Sequence, residues 1–308
     1  MTKPQVLVIG RNCVDYISVV DRFPDEDKKT PLSRRMSEGG GQGGTSACCI
    51  ARLGGKAVLT GVLGDDAEGR FCLDRLVAYG VDITHVRIVK DGHTPVAYIF
   101  ITQSSGKRTI IYENSTLPNV TFDAKMQALA LDSGAVLLSP DVTFLSKSLG
   151  MLQPQLPPII YDAERWRQGI DLMMAIADYF IPTSDFLDVP ELQFEGLSFR
   201  EKIFLLQKRI EGRLVVTAGE RGAFFVDGES LCRVPAVGVS VADTIGAGDN
   251  FHGAFALAVA RGDKFVDAVK FGVAVASLSC RDYGGRKGLP FQSEAEAKAA
   301  ALSCRMEG

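Results

Sequence analysis

Two hydrophobic rhythms alternate along the chain. Runs at residues 5–10, 57–61, 135–138, 159–161, 179–181 and 214–217 are short and almost unbroken in their apolar character. That is the pattern of strands covered on both faces. Between them, residues 45–53, 68–79, 199–210, 249–260 and 265–279 carry helical patterning. Strand alternating with helix predicts an α/β fold with a mostly parallel central sheet flanked by helices.

Two stretches follow a different beat. Residues 16–20 with 32–36, and 96–102 with 108–112, alternate apolar and polar side chains with period two. Alternation leaves one face wet, so these segments predict a small separate β-sheet lid. Its strands are expected at about 14–20, 32–38, 95–102 and 107–113. Residues 96–112 are a hairpin candidate that turns at Ser104, Ser105, Gly106 and Lys107. There is no internal repeat and no low-complexity linker, so residues 1–308 read as a single α/β domain with that lid.

Composition narrows the partners. Lys and Arg number 34 against 37 Asp and Glu, a net charge of −3 with no basic block, which disfavours nucleic acid. The seven cysteines are odd in number and lack metal-ligand spacing, so neither a disulfide framework nor structural zinc is expected. With three histidines, a His-built metal site is not expected either. No apolar run reaches the length needed to span a bilayer, and the N-terminus reads as a first strand and not as a signal peptide. A cytoplasmic protein with no membrane partner is the expectation.

Three segments carry candidate chemistry. Glu38–Thr45 holds a literal G-x-G-x-x-G at Gly39, Gly41 and Gly44. It follows a polar segment, not the first buried strand, so the context of a dinucleotide fingerprint is missing. Glycines just before a helix would instead let a ligand approach the backbone closely, with a plain flexible loop as the bland alternative. No Gly-Lys pair is followed by Ser or Thr, so there is no Walker A loop.

In the second segment, Gly246, Ala247 and Gly248 open directly into a helix. Free N–H groups and the positive helix end make an anion site there. Asp249 stands at the same helix start. It suits a helix cap, or equally a base that takes the proton from a hydroxyl attacking a phosphoryl group. The third segment, residues 215–223, is a strand ending in a glycine-punctuated turn, which sets Thr217 and Gly219 for a nucleotide phosphate or simply for a hairpin. Asp15 alone reads as a turn former and Arg108 as a surface arginine.

These motifs resemble, in order and over essentially the whole chain, those of the PfkB (ribokinase-like) carbohydrate kinases. Residues 243–249 (DTIGAGD) match that family's C-terminal signature, residues 40–54 resemble its glycine signature, and residues 216–222 its nucleotide loop. Residues 15–24 and 106–111 look most like the ketohexokinase branch; residues 251–254 and 284–290 look most like the sulfofructose kinase branch. The resemblance implies a ribokinase-like fold whose β lid often pairs two subunits, so a homodimer is expected. It implies ATP and Mg²⁺, with γ-phosphoryl transfer to a hydroxyl of a monosaccharide, a ketose such as fructose first. Sulfofructose, ribose, 2-keto-3-deoxygluconate or a nucleoside are the alternative acceptors, and a catalytically impaired sugar- or nucleotide-binding regulator is the non-enzymatic one.

By the same resemblance Asp249 is the base, and the amides of Gly246, Ala247 and Gly248 hold developing charge. Asp15, Gly41, Gln42, Thr45 and Arg108 line the sugar site. Ser184, Thr217, Gly219, Gly222, Gly248, Ala274 and Ser277 belong to the nucleotide side, and Asp243 to a K⁺ site. The chain also departs from the family. Thr45 replaces an Asn, and the family's Asn-x-x-Glu falls on Ser184–Leu187, where neither residue is kept. Lys29 suggests a sulfonate partner, yet Asp141 and Tyr112 stand where an arginine and an asparagine would accompany it, which disfavours a sulfonate.

Overall fold

A computed structural model describes residues 3–104 and 107–307; Ser105 and Gly106 of the expected hairpin turn lie outside them. The chain opens with β1 (Gln5–Ile9), then β2 (Cys13–Val20) and β3 (Arg34–Gly40). Helix α1 (Gln42–Arg52), β4 (Lys56–Gly64), α2 (Ala67–Tyr79) and β5 (Asp82–Val89) follow. Next come β6 (Val96–Thr102), β7 (Lys107–Tyr112), α3 (Ala124–Leu131) and β8 (Ala135–Leu138). Helix α4 (Ser146–Leu152), β9 (Ile159–Ala163), α5 (Ile170–Ile176) and β10 (Tyr179–Pro182) continue the alternation. Then come α6 (Phe199–Gln207), β11 (Arg213–Thr217), β12 (Ala223–Asp227) and β13 (Ser230–Val234). The chain closes with α7 (Ala247–Arg261), α8 (Phe265–Ser279), α9 (Gln292–Ala300) and β14 (Arg305–Glu307).

The large sheet runs β14-β13-β12-β11-β10-β9-β8-β1-β4-β5. It is parallel from β5 to β11 and antiparallel from there to β14. The unbroken apolar runs are explained by its two covered faces. Val6 and Val8 of β1 pack toward α1, α7 and α8, while Leu7 and Ile9 pack toward α3, α4, α5 and α6. β5 has no apolar run to announce it. It is an edge strand beside β4, with a register irregularity between Val58 and Thr60, and its half-exposed residues alternate too loosely to be read as a buried strand.

The four alternating segments form a second sheet, ordered β3-β2-β6-β7. Ile17, Val19, Ala97, Ile99 and Ile101 turn inward onto Ile245 of the main body, and Tyr98 and Ile111 turn out to solvent. No helix of the described residues is long and apolar enough to cross a membrane. All seven cysteines are free thiols.

Candidate active site

From β1 the chain proceeds by way of β2, β3 and α1 to β4 on one side, and it later returns to β8 on the other. That reversal leaves a crevice outside the carboxyl ends of the strands, where ligands of open α/β sheets bind. A cleft of about 580 Å³ lies there, roofed by the small sheet. Arg11 follows β1, Asp141 follows β8, Asp162 and Glu164 close β9, and Thr183 follows β10; all five line the cleft.

Helix α7 supplies the chemistry of its floor. Its N-cap is Gly246, in the left-handed conformation at φ +69°, packed against the backbone of Gly285 and the methyl of Thr45. The first-turn amides have no helical partner, and the helix's positive end faces the cleft. Asp249 is the third residue of this helix, not its cap, and its carboxylate accepts no hydrogen bond among the described residues. The capping alternative for Asp249 therefore falls away. Burial first, then the negative charge of Asp162, raises Asp249 well above the ordinary carboxylate range; the nearby His252 pulls the other way.

Asp15 sits in β2, beside Glu38 of β3, and not in a turn as an Asp following the first strand would suggest. It is buried, accepts from the Cys13 thiol at 3.3 Å, and is pushed up to about 6 by burial. Gln42 donates to Glu164 at 3.3 Å. Arg108 reaches down from β7 and donates to Thr244 at 2.5 Å, joining the lid to the residue two before the anion turn. Asp15, Gly41, Gln42, Thr45, Arg108, Gly246, Ala247, Gly248 and Asp249 thus share one cleft although they are drawn from 235 residues of chain.

The nucleotide-side residues do not line that cleft, apart from Gly248. Thr217 ends β11 and donates to the Pro182 carbonyl at 3.3 Å, with Gly219 (φ +53°) beside it and open space where a Cβ would be. Gly222 (φ +91°) is pressed on the backbone of Val234 and Ala236, a reason for glycine that involves no ligand. Ser184 donates to Asp185 at 3.4 Å, and Lys29 is exposed, away from the cleft. Ala274 is fully buried in α8, and the Ser277 hydroxyl is engaged twice, to Val273 O at 2.8 Å and from Val237 N at 3.0 Å.

The glycine run needs a correction. Its missing Cβ atoms make room for the protein itself, while Gly41 still lines the cleft. A Cβ on Gly41 or Gly43 would strike the backbone of Arg11 or Gly10, one on Gly40 the Asp15 carboxylate, and one on Gly39 or Gly44 the guanidinium of Arg286. Arg286 is buried to 1% exposure and donates to the Gly40 carbonyl at 2.9 Å. Sequence reasoning missed it, since nothing in Gly284–Leu289 distinguishes a buried arginine from a surface one. It also missed Asp162 and the Arg11–Asp141 ion pair at 3.1 Å, whose partners lie 130 residues apart. Arg165 and Arg167, which face Glu164, complete the far wall of the cleft.

Both oxygens of Asp243 accept backbone amides, one from Ile245 and the other from Gly284 at 2.7 Å, which ties the anion turn to the 282–285 loop. Among the described residues no group of three or more His, Cys, Asp or Glu is arranged to hold a metal ion. A divalent ion at this cleft would take most of its ligands from phosphate oxygens and water, as Mg²⁺ does at nucleotide sites.

A mostly parallel α/β sheet, a small second sheet over the cleft, a helix N-terminus opening into it and, among the described residues, a first-turn carboxylate without a hydrogen bond are the arrangement of a ribokinase-like phosphotransferase. Residues 3–292 match the profile of the pfkB family carbohydrate kinases, and the chain belongs to that family. It is 29% identical to the ribokinase of Lactococcus lactis, over 99% of this chain and 100% of that one. It is 25% identical to the ketohexokinase of Mus musculus, over 91% and 97% of the two chains. The fold matches that of Arabidopsis thaliana ribokinase, complexed with ribose and ATP, at a TM-score of 0.79 with 22% identity, over 97% and 99% of the chains. The protein is therefore a phosphotransferase with an alcohol group as acceptor.

Proposed function

We propose that this kinase transfers the γ-phosphoryl group of ATP to a hydroxyl of a monosaccharide, a ketose such as fructose being the first candidate. The observation that carries the reading is the Asp249 carboxylate. It is raised by burial, has no hydrogen-bond partner among the described residues, and lies one residue after the amides of Gly246, Ala247 and Gly248. Asp249 takes the hydroxyl proton, the freed oxygen attacks the γ-phosphorus, and the bond to the bridging oxygen of ADP breaks. The turn amides stabilise the charge that gathers on the transferred group. Mg²⁺, bound with the phosphates, would neutralise their charge. Asp15, Gln42 and Thr45 are set to bind the acceptor, with Arg108 above it; Ser184, Thr217, Gly219, Gly222, Ala274 and Ser277 are assigned to the nucleotide side by motif resemblance. K⁺ at Asp243 belongs to the same resemblance, and activity with and without KCl tests it.

The names of the relatives support sugar phosphorylation and leave several acceptors open. One observation favours a second acceptor class: Arg11, Arg165 and Arg167 converge on the far wall, where an acidic group on the sugar would find guanidinium donors. A homodimer through the lid is supported by the outward Tyr98 and Ile111, which are paired across β6 and β7 and are 47% and 55% exposed. ADP release from MgATP, measured with fructose, tagatose, ribose, 2-keto-3-deoxygluconate, fructose 6-phosphate and adenosine, tests the function. One acceptor well above the ATPase background supports it, and a flat panel with ATP binding intact counts against it.

A further inference from the structure

A buried ionisable group that the catalytic scheme does not use lies on the same helix as Asp249. His252 is 3% exposed. Its Nδ1 is 2.7 Å from the carbonyl oxygen of Gly248, and its Nε2 is 3.1 Å from the carbonyl oxygen of Ile181, at the end of β10. The carboxylate of Asp162, also buried, is 3.7 Å from Nε2.

A carbonyl oxygen can only accept. A neutral imidazole has one N–H, so one of its nitrogens would turn a lone pair toward an oxygen at hydrogen-bond distance; an imidazolium donates on both sides. The proton in question has three homes, His252, Asp162 and Asp249, and the total is the same in each. On Asp249 it would silence the base and leave an imidazole lone pair facing a carbonyl. Held on Asp162, it would have to bridge 3.7 Å to Nε2, beyond the length of an O–H···N bond. Asp162 also accepts from the Glu164 amide, as an ionised carboxylate does. Burial is the larger influence and leaves the imidazole below its ordinary value and Asp162 well above the carboxylate range. The two carbonyls and Asp249 work against it, and it is the fixed hydrogen-bond geometry at both ring nitrogens that decides for the charged ring.

The surroundings make the same demand. Asp249 on α7, Asp162 and Glu164 on β9 and just after it, Asp15 on β2 and Asp141 after β8 all face this region. Against these five carboxylates stand Arg11, paired with Asp141, Arg165 and Arg167, both on Glu164, and Arg286, which acts on Asp15, so no arginine is left to counter both Asp162 and Asp249.

We infer that His252 is a permanently charged positioning residue, a buried imidazolium countered by Asp162, that fastens the first turn of α7 to the end of β10 beneath Asp249. Its charge state stands on geometry alone; its effect on rate rests on Asp249 being the base.

The ring-nitrogen NMR signals of [¹⁵N]histidine-labelled protein read this directly, since the chain has only His85, His93 and His252. His85→Gln and His93→Gln identify the third set. Both nitrogens of His252 protonated at neutral pH is the expected result; a neutral tautomer in the wild-type protein overturns the proposal, whether or not any sugar is phosphorylated. Asp162→Asn should convert His252 to the neutral form, and a ring that stays doubly protonated there removes Asp162 as counter-ion. In His252→Gln the acid limb of kcat/KM should move up by about one pH unit, because Asp249 loses an adjacent cation. An unmoved limb beside a charged wild-type ring would strip His252 of its influence on the base.

Discussion

The hydroxyl of Ser46 donates to the main-chain carbonyl of Asp249 at 2.9 Å, across 203 residues of chain. That bond holds the start of α1 against the start of α7, so the glycine run and the anion turn meet at one cleft. Gly253 allows the approach, since a Cβ there would lie 2.7 Å from the Ser46 carbonyl.

Asp249→Asn keeps the side chain's shape and removes the base. It should leave the protein folded, with a melting temperature at pH 8 no lower than that of the wild type because a buried, raised carboxylate is removed. It should lower kcat by at least about 10²-fold, the scale of general-base loss. Near-full turnover would remove Asp249 from its role.

The pH profile follows from the same group. A base works ionised, and Asp249 is raised above its ordinary value. Activity should therefore fall as pH drops, starting well above the pH of about 4 where a solvated carboxylate titrates. A kcat/KM that stays flat down to that region would contradict the buried base.

Gly43 and Gly248 should behave oppositely when changed to alanine. A Cβ on Gly43 would sit 2.8 and 2.9 Å from the backbone of Gly10, whereas one on Gly248 meets nothing within 4 Å. Gly43→Ala should cost about 1–3 kcal/mol, the usual range for overpacking. Gly248→Ala should keep the wild-type unfolding midpoint and raise KM for ATP. Chemical denaturation beside steady-state kinetics separates the two.

Asp15 is held in an unfavourable state. Its pKa in the folded protein, about 6, lies above the ordinary 3.8, so the folded form binds a proton more readily than the unfolded chain. The resulting penalty is full above about pH 6 and vanishes below about pH 4. Asp15→Asn should therefore stabilise the protein at pH 8 by up to about 3 kcal/mol while weakening acceptor binding. Melting curves at both pH values, with acceptor KM, test the trade.

Arg108→Ala would release the lid from Thr244. The arginine is exposed, so stability should hardly move, while KM for the acceptor should rise by about ten-fold, the loss of one charge-assisted hydrogen bond. An unchanged KM would mean that the lid closes without it.

The sequence by itself settled the sheet, because a strand covered on both faces must carry an apolar run, and β1, β8, β9, β10 and β11 do, at residues 6–9, 135–138, 159–161, 179–181 and 214–216. It settled the small second sheet, since period-two alternation cannot serve a doubly covered strand, and it marked the Gly246–Gly248 turn, whose small residues and following helix are local in the chain. What it could not decide was who stands opposite whom. The glycines of residues 39–44 look the same whether a ligand or Arg286 fills the space above them, and only the fold brings Arg286 back across 241 residues to Thr45. Asp162 and His252 carry no local signature, because a carboxylate and an imidazole become a pair only when β9 and α7 meet. Backbone geometry and hydrophobic period act over a few residues and are written in order along the chain. Electrostatics and close packing act through space, and their partners are chosen by the tertiary fold.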